Sequence, residues 1–146
     1  MSTSCLPNVY LMTRIVIIDD EPHIRETLGK MLERHCPEVR VVGFAYGVQS
    51  GIKAITELNP DLVLLDIYMG DGTGFDILHA LAPISFRVIF VSAMDKNTIR
   101  AFRLSGMEFL LKPVSPVELQ KAIQRVMKME ISDFGLQLQA LEEDVE

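Results

Sequence analysis

The sequence predicts an α/β protein in which a doubly wound parallel sheet of five strands lies between helices, in three layers. Two observations support this class. Short apolar runs recur along the chain, and segments with apolar residues at helical spacing separate them. Strands that alternate with helices pair in parallel through right-handed crossovers, which place helices on both faces of one sheet.

Five runs are the strand candidates, and the third is wholly apolar, as is typical of a strand buried on both faces. They are IVII at 15–18, VRVVGF at 39–44, LVLL at 62–65, VIFV at 88–91 and EFLL at 108–111. Apolar residues at intervals of three and four predict amphipathic helices between the strands. These sets are Ile24, Leu28, Met31 and Leu32, then Val48, Ile52 and Ile55, and finally Leu119, Ala122, Ile123, Val126 and Met127. Residues 72–80 and 95–104 are weaker helical candidates.

The length of 146 residues predicts one domain with a conventional core, and 49% hydrophobic residues exclude a disordered chain. The net charge of −6 does not provide the positively charged surface that binds nucleic acid. Cys5 and Cys36 lack metal-ligand spacing, and neither a signal peptide nor a membrane-spanning run accompanies them. We therefore expect a reduced, cytoplasmic setting and no membrane contact.

The two ends differ from the regular middle. Residues 1–13 are a mixed tail, within which Met12 is an alternative natural start. Residues 14–128 carry the repeated pattern and form the predicted domain. Residues 129–146 place Leu136, Leu138 and Leu141 in an apolar and acidic stretch, where we expect the start of a linker helix.

Polar residues directly follow four of the predicted strands. They are Asp19 and Asp20 after the first strand, Asp66 after the third, Ser92 after the fourth and Lys112 after the fifth. Because the carboxyl ends of parallel strands share one edge of a sheet, these side chains are expected to meet in one cleft. Clustered carboxylates repel one another, and a divalent cation is the natural compensation. Ligands that are all oxygen atoms favour Mg²⁺, or Mn²⁺ in its place, over zinc.

A carboxylate in such a cleft can attack phosphorus and form an aspartyl phosphate. Lys112 would then neutralise negative charge, and the Ser92 hydroxyl would donate a hydrogen bond. Each residue also has a simpler interpretation. Asp20 or Glu21 suits the cap of a helix that begins at Pro22. Ser92 suits an ordinary strand end, and Lys112 suits a surface charge.

Residues 14–128 resemble the receiver domain of two-component response regulators. The shared motifs are IIDDEP at 17–22, LLDIYMGDGTG at 64–74, SA at 92–93 and LLKP at 110–113. The resemblance implies a flavodoxin-like sheet with the strand order 2-1-3-4-5. It implies that Asp66 accepts a phosphoryl group from a sensor histidine kinase. It also implies that Asp19, Asp20 and Asp66 hold Mg²⁺ together with the backbone carbonyl of Tyr68.

The same resemblance implies a cis peptide bond between Lys112 and Pro113, which aims Lys112 at the phosphate. DDEPHIRETL at 19–28 and VIFVSAMDKNTIRAFRLSGMEFLLKPV at 88–114 are most similar to LytTR-type regulators, whose receiver precedes a DNA-binding domain. By this resemblance the chain is a signalling domain of transcription regulation and not a turnover enzyme. It would meet DNA only through a C-terminal domain absent from this chain.

Three positions depart from the family pattern. Gly70 stands where proline is usual, so a more flexible loop is expected. Ser92 replaces the commoner threonine and keeps the hydroxyl. Phe109 replaces a frequent tyrosine. It can still rotate when Ser92 is drawn towards a phosphoryl group on Asp66, but it cannot donate a hydrogen bond.

We expect phosphorylation to alter the surface formed by the fourth helix, the fifth strand and the fifth helix, roughly residues 95–128. A symmetric homodimer through this surface is the predicted outcome, with exposed basic residues facing acidic ones. The basic set is Arg100, Arg103, Lys121 and Arg125, and the acidic set is Asp95, Glu108 and Glu118.

Three other functions fit parts of the sequence. DGTG at 71–74 is similar to the haloacid dehalogenase phosphatases, but that pattern needs an aspartate where Met69 stands. A nucleotide-binding domain of the same fold needs a glycine-rich first loop, whereas residues 19–21 are acidic. The strongest alternative is a receiver that acts as an interaction module without phosphorylation. Such a receiver is expected to lack the acceptor or the acidic pair, and this sequence retains both.

Overall fold

The computed structural model describes residues 12–145, so the predictions for residues 1–11, including Cys5, lie outside the described residues. The strands are β1 (Thr13–Ile18), β2 (Val39–Ala45), β3 (Leu62–Leu65), β4 (Tyr68–Met69), β5 (Gly72–Thr73), β6 (Arg87–Ser92) and β7 (Phe109–Leu111). The helices are α1 (Pro22–His35), α2 (Val48–Leu58), α3 (Gly74–Ala80), α4 (Lys96–Ser105), α5 (Pro116–Met127) and α6 (Ile131–Val145).

The main sheet is parallel, and its strand order is β2-β1-β3-β6-β7. Since β6 and β7 are the fourth and fifth of the predicted strands, this is the order 2-1-3-4-5, and the predicted fold class is confirmed. The sequence did not predict the small antiparallel hairpin of β4 and β5, in which Tyr68 pairs with Thr73 and Met69 with Gly72.

The sheet forms the centre of the core. Every residue of β3 is buried, because β3 lies between β1 and β6 and helices cover both faces of the sheet. α1 packs beside α5, and α2 packs beside α3. The predicted helical stripes supply the facing side chains, for example Leu28 and Leu32 of α1 and Leu119 and Ile123 of α5. Each fully buried side chain of this kind stabilises the fold by about 1.5–3 kcal/mol.

The helix predicted near the C-terminal end is present as α6, and it packs against α4. Phe134 and Leu141 are only 1% and 0% exposed, and their spacing of seven residues puts them on one stripe of the helix. The Arg87 guanidinium donates hydrogen bonds of 3.0 and 2.7 Å to the backbone oxygen of Met129, just before α6 begins. The helix is therefore seated on the body of the domain.

The remaining thiol in the described residues is Cys36. It is free and buried, and burial raises its pKa, so it is not poised as a nucleophile. None of the helices within residues 12–145 has the length and apolar character that a membrane crossing requires.

Candidate functional site

Asp66 follows the last residue of β3 and lies at the carboxyl edge of the sheet. The residue is 5% exposed, and its carboxylate accepts three hydrogen bonds. Oδ1 accepts from the Ser92 hydroxyl at 2.6 Å and from the Ile67 amide at 2.8 Å, and Oδ2 lies 3.2 Å from Lys112 Nζ. These partners offset the cost of removing the carboxylate from water at the end of a buried strand.

The acidic pair follows β1, the strand beside β3. Asp19 is buried, and its Oδ1 accepts a hydrogen bond of 2.9 Å from the Glu21 amide, whereas Asp20 is exposed. α1 begins at Pro22, and Glu21 occupies the cap position without a side-chain cap bond. The capping interpretation therefore holds for the position of Glu21, with Pro22 in the first turn, but the Glu21 side chain makes no cap hydrogen bond.

Lys112 follows β7 and turns its ammonium into the cleft, so the interpretation as a surface charge is wrong. Its Nζ lies 2.8 Å from Asp19 Oδ2 and 3.2 Å from Asp66 Oδ2. The Lys112–Pro113 peptide bond is cis. Burial lowers the pKa of the Lys112 ammonium, but attraction to the two carboxylates outweighs it and leaves the pKa raised. The side chain is thus a fixed positive charge at neutral pH.

The three carboxylates suit a divalent cation. One oxygen from each of Asp19, Asp20 and Asp66 lies within 4.8 Å of the others. Asp19 Oδ2 is buried and contacts Lys112 as an ion pair that lacks hydrogen-bond geometry. Burial raises the pKa of the Asp19 carboxyl, the Asp66 carboxylate adds to the rise, and Lys112 and the Glu21 amide offset part of it. Excess negative charge on hard oxygen atoms is the condition that favours Mg²⁺.

Ser92 and Phe109 lie on neighbouring strands, because Phe90 of β6 pairs with Phe109 of β7. Ser92 is buried, and Phe109 is partly buried. The ring of Phe109 meets that of Phe102 edge to face at 5.4 Å, and Phe102 meets Phe90 in the same way at 5.1 Å. These two ring contacts connect β7 and β6 to α4. Phe90 lies two residues before Ser92 in β6.

The segment after Asp66 forms the β4–β5 hairpin. The side chain of Tyr68 is exposed, and its backbone carbonyl as a cation ligand stays a prediction. A Cβ on Gly74 would lie 2.5 Å from the backbone oxygen of Asp66, so the third glycine of the motif permits a close approach. Asp71 points towards α2, where it accepts hydrogen bonds from two backbone amides. This carboxylate is used away from the acidic cluster, unlike the aspartate of a D-x-D-G-T phosphatase motif.

All three acidic candidates on the predicted dimer surface have partners within the chain. Glu108 receives three contacts of 2.8, 3.3 and 3.0 Å from the Arg125 guanidinium. Asp95 caps α4 by accepting from the Thr98 amide at 2.8 Å. Glu118 Oε1 accepts from the Ser115 hydroxyl at 3.3 Å, while the Glu118 amide donates to that hydroxyl. Arg125 thus neutralises Glu108, whereas the Asp95 and Glu118 carboxylates accept hydrogen bonds from uncharged groups and keep their negative charge.

The structure brings together Asp19, Asp20, Asp66, Ser92 and Lys112, as the strand ends predicted. It adds contacts that the sequence analysis missed. Arg25 of α1 donates a hydrogen bond of 2.6 Å to the backbone oxygen of Asp19, and the Asp71 contact with α2 was also missed. The i+6 spacing from Asp19 to Arg25 was visible in the sequence, but a contact between a loop and a helix turn leaves no periodic signal.

The protein-family model described as the response regulator receiver domain matches residues 15–124 of this chain. The chain belongs to this family. This also places it apart from the phosphatases and nucleotide-binding proteins that share motifs or fold with it. The match begins within β1, ends within α5 and includes every residue of the acidic cluster.

Similar proteins agree with the family. An uncharacterized response regulatory protein of Vibrio parahaemolyticus is 41% identical over 136 residues, which cover 91% of this chain and 55% of that protein. The sensory transduction protein LytT of Enterococcus faecalis is 30% identical over 78% of this chain and 48% of its own length. The receiver domain of the putative response regulator NarL from Mycobacterium tuberculosis superposes with a TM-score of 0.70 at 30% identity, covering 82% and 98% of the two chains. The chain spans about half the length of the curated relatives it matches.

Proposed function

We propose that Asp66 is the phosphoacceptor of a two-component pathway and receives a phosphoryl group from a cognate sensor histidine kinase. One observation carries the proposal. The buried Asp66 carboxylate contacts a hydroxyl donor and a fixed ammonium while two further carboxylates lie beside it. In the transfer, a carboxylate oxygen forms the bond to phosphorus as the bond between phosphorus and the kinase histidine breaks.

The side chains around Asp66 have different roles in the proposed phosphoryl transfer. Asp19, Asp20 and Asp66 would hold Mg²⁺ with the Tyr68 carbonyl, and the bound ion would neutralise charge on the phosphoryl oxygens. Lys112 already bridges Asp19 and Asp66 and can contact the incoming phosphoryl oxygens without a change of protonation. The Ser92 hydroxyl, now 2.6 Å from Asp66 Oδ1, can redirect its hydrogen bond to the same group.

Intact-mass spectrometry after incubation with acetyl phosphate and Mg²⁺ tests the acceptor. We expect one added phosphoryl group on the wild-type chain and none on Asp66→Asn. Asp76→Asn is the matched control, because Asp76 caps α3 through the Thr73 amide and should leave labelling intact. Equal labelling of the wild-type chain and Asp66→Asn would refute the proposal. A wild-type chain that never acquires the group would favour the interaction module that works without phosphorylation.

The proposed output passes through α4, β7 and α5. The Ser92 hydroxyl would move towards the phosphoryl group, Phe109 would rotate into the space, and its contact with Phe102 would transmit the change to α4. A symmetric homodimer through this surface would follow, in which Arg100 and Arg103 of one copy face the exposed Asp95 and Glu118 of the other. Sedimentation with and without beryllofluoride should show phosphomimetic dimerisation that Arg100→Glu abolishes. A monomer in both conditions would contradict it.

The rest of the protein enters as part of the same proposal. Residues 14–128 form the receiver, and residues 129–146 lead towards an output domain of LytTR type that regulates transcription in the cytoplasm. Similarity to LytT and the partial coverage of longer relatives support this extension. DNA contact would belong to that output domain, because the net charge of this chain is −6.

A further inference from the structure

The tip of the β4–β5 hairpin lies just after the acceptor, at Gly70 and Asp71. Little within this tip restricts its backbone. A Cβ on Gly70 would meet nothing within 4 Å, and Gly72 has a φ of +146°, a conformation that favours glycine. The base of the loop is fixed by a hydrogen bond of 2.8 Å from the Gly74 amide to the Ile67 oxygen. The tip therefore depends on contacts with other elements.

Asp71 supplies such a contact with α2. Its Oδ1 accepts a hydrogen bond of 2.7 Å from the Val48 amide, and its Oδ2 accepts one of 3.2 Å from the Gln49 amide. These amides belong to the first turn of α2 and have no partner within the helix itself. The Val48 amide, followed by the Gln49 amide, holds the pKa of the Asp71 carboxyl below its usual value, so the carboxylate stays charged at neutral pH.

Gly47, at the start of α2, leaves room for the Asp71 carboxylate. It occupies the cap position of α2, where it has no side chain with which to cap the helix. Its φ of −172° is extended and open to any residue, so backbone conformation does not require glycine there. A Cβ would instead lie 2.6 Å from Asp71 Oδ1. The absent side chain of Gly47 leaves the space that the carboxylate of a distant loop occupies.

We propose that Asp71 is a positioning residue, which ties the acceptor loop to α2 and so holds Tyr68 and Asp66 in place for the cation. The inference rests on the proposed function and adds a residue outside the acidic cluster. Gly70 leaves the backbone of the tip free to move, and the Asp71 hydrogen bonds restrain it. Loss of the tie would leave all the ligands present but less well ordered, and a less ordered site binds its ion more weakly.

A titration of the full chain with Mg²⁺, followed by amide NMR shifts, tests the tie. We expect Asp71→Ala to weaken Mg²⁺ binding about tenfold, the lower end for loss of a supporting contact. Asp71→Asn removes the charge but keeps one acceptor oxygen, so it should recover part of the affinity. Equal losses in the two variants would assign the effect to charge alone and overturn the inference. Unchanged affinity in Asp71→Ala would also overturn it.

A second pair of variants distinguishes positioning of the acceptor loop by Asp71 from capping of α2 by the same residue. Asp71→Ala should lower Tm by about 3 °C because α2 loses its cap. Adding Gly47→Ser to that variant places a hydroxyl at the cap position, in space that the shortened residue 71 leaves free. Tm should then recover while Mg²⁺ affinity stays low. Recovery of both would mean that Asp71 only caps the helix, and would contradict the inference.

Asp95→Ala is the matched control, since Asp95 caps α4 with the same chemistry and lies outside the loop. It should lower Tm and leave Mg²⁺ affinity unchanged, and an equal loss of affinity would contradict a role specific to the loop. Failure of the proposed function has a different signature. A wild-type chain that binds no Mg²⁺ would overturn the cation site together with this inference, whereas normal binding by both the wild-type chain and Asp71→Ala overturns the inference alone.

Discussion

The acidic cleft and the seam between α4 and α6 are both buried, but they are held by opposite kinds of contact. In the cleft, Asp19 and Asp66 are buried beside each other, and one ammonium, from Lys112, faces both of them. In the seam, Phe134 and Leu141 are buried among apolar neighbours. Burial of apolar area stabilises the fold, whereas burial of like charges costs free energy.

This difference separates a cluster whose charges oppose folding from a seam whose burial favours it. The excess negative charge of the cluster fits the divalent cation proposed for it. The seam is mainly apolar, although α6 also buries two oxygen atoms without hydrogen-bond partners, Gln137 Oε1 and Glu142 Oε1. α6 also contacts α3, where His79 Nε2 lies 2.6 Å from Glu142 Oε1.

The largest expected change in unfolding free energy comes from a substitution in the seam between α4 and α6. Phe134→Ala removes a ring that is 1% exposed, and the loss of a buried aromatic costs about 3–5 kcal/mol of unfolding free energy. Phosphorylation by acetyl phosphate should persist, since no residue of the acidic cluster belongs to α6. Urea unfolding and mass spectrometry measure the two outcomes.

Leu136→Ala is the control for that variant, because Leu136 lies on the same helix with 72% of its surface exposed. A change within about 0.5 kcal/mol is expected for such a surface position. If the two alanine variants were equally stable, α6 would not be seated on α4 in solution. If Phe134→Ala abolished phosphorylation while the chain remained folded, the seam and the cleft would not be independent.

The cleft could be predicted from the sequence because its residues lie at the carboxyl ends of strands, with Ser92 as the last residue of β6. Parallel strands with right-handed crossovers admit few arrangements, and each of them brings the carboxyl ends to one edge. Asp19, Asp66, Ser92 and Lys112 therefore converge whatever the details of the helices. The sheet order followed from the family resemblance, since alternation of strands and helices alone does not fix which strand lies at the centre.

Features that depend on contacts between distant segments were not predictable in this way. The tie from Asp71 to Val48 spans 23 residues, and nothing in DGTG indicates which helix will receive the carboxylate. Leu136, Leu138 and Leu141 indicated a helix, but they predicted neither the burial of Phe134 nor the packing of the helix against α4. Arg125 and Glu108 suggested complementary charges across a dimer, yet the two side chains pair within one chain.

A substitution in the acidic cleft should have a smaller effect on stability than Phe134→Ala, and one of opposite sign. Asp20→Asn removes one carboxylate from the cluster of three, whose oxygens lie within 4.8 Å of one another. Without Mg²⁺ the variant should be more stable than the wild type by about 1 kcal/mol, because relief of repulsion at an exposed site is small. With Mg²⁺ the order should reverse, since the wild type gains more from binding the cation.

Thermal unfolding in the presence and absence of Mg²⁺ measures this reversal. Glu33→Gln serves as the control, because it neutralises an exposed carboxylate on α1 outside the cluster. Its difference from the wild type should be the same in both conditions. A wild-type chain that remains less stable than Asp20→Asn at saturating Mg²⁺ would contradict a cation site built from this residue.

The smallest expected effect concerns α4, the helix that lies between the two regions. Asp95 follows Ser92 by three positions and caps α4, while α6 packs against that same helix. The Thr98 amide holds the pKa of the Asp95 carboxyl below the usual 3.8. A lowered pKa in the folded state means that the ionised cap stabilises the protein above pH 3.8 and that this contribution is lost as the pH falls through the lowered value. Asp95→Asn keeps a capping oxygen but cannot ionise, so its deficit against the wild type should be small at neutral pH and should disappear in acid. Urea unfolding of both chains from neutral pH to below the usual carboxyl pKa measures the deficit. A deficit that is constant with pH would show that the charge of Asp95 does not stabilise α4.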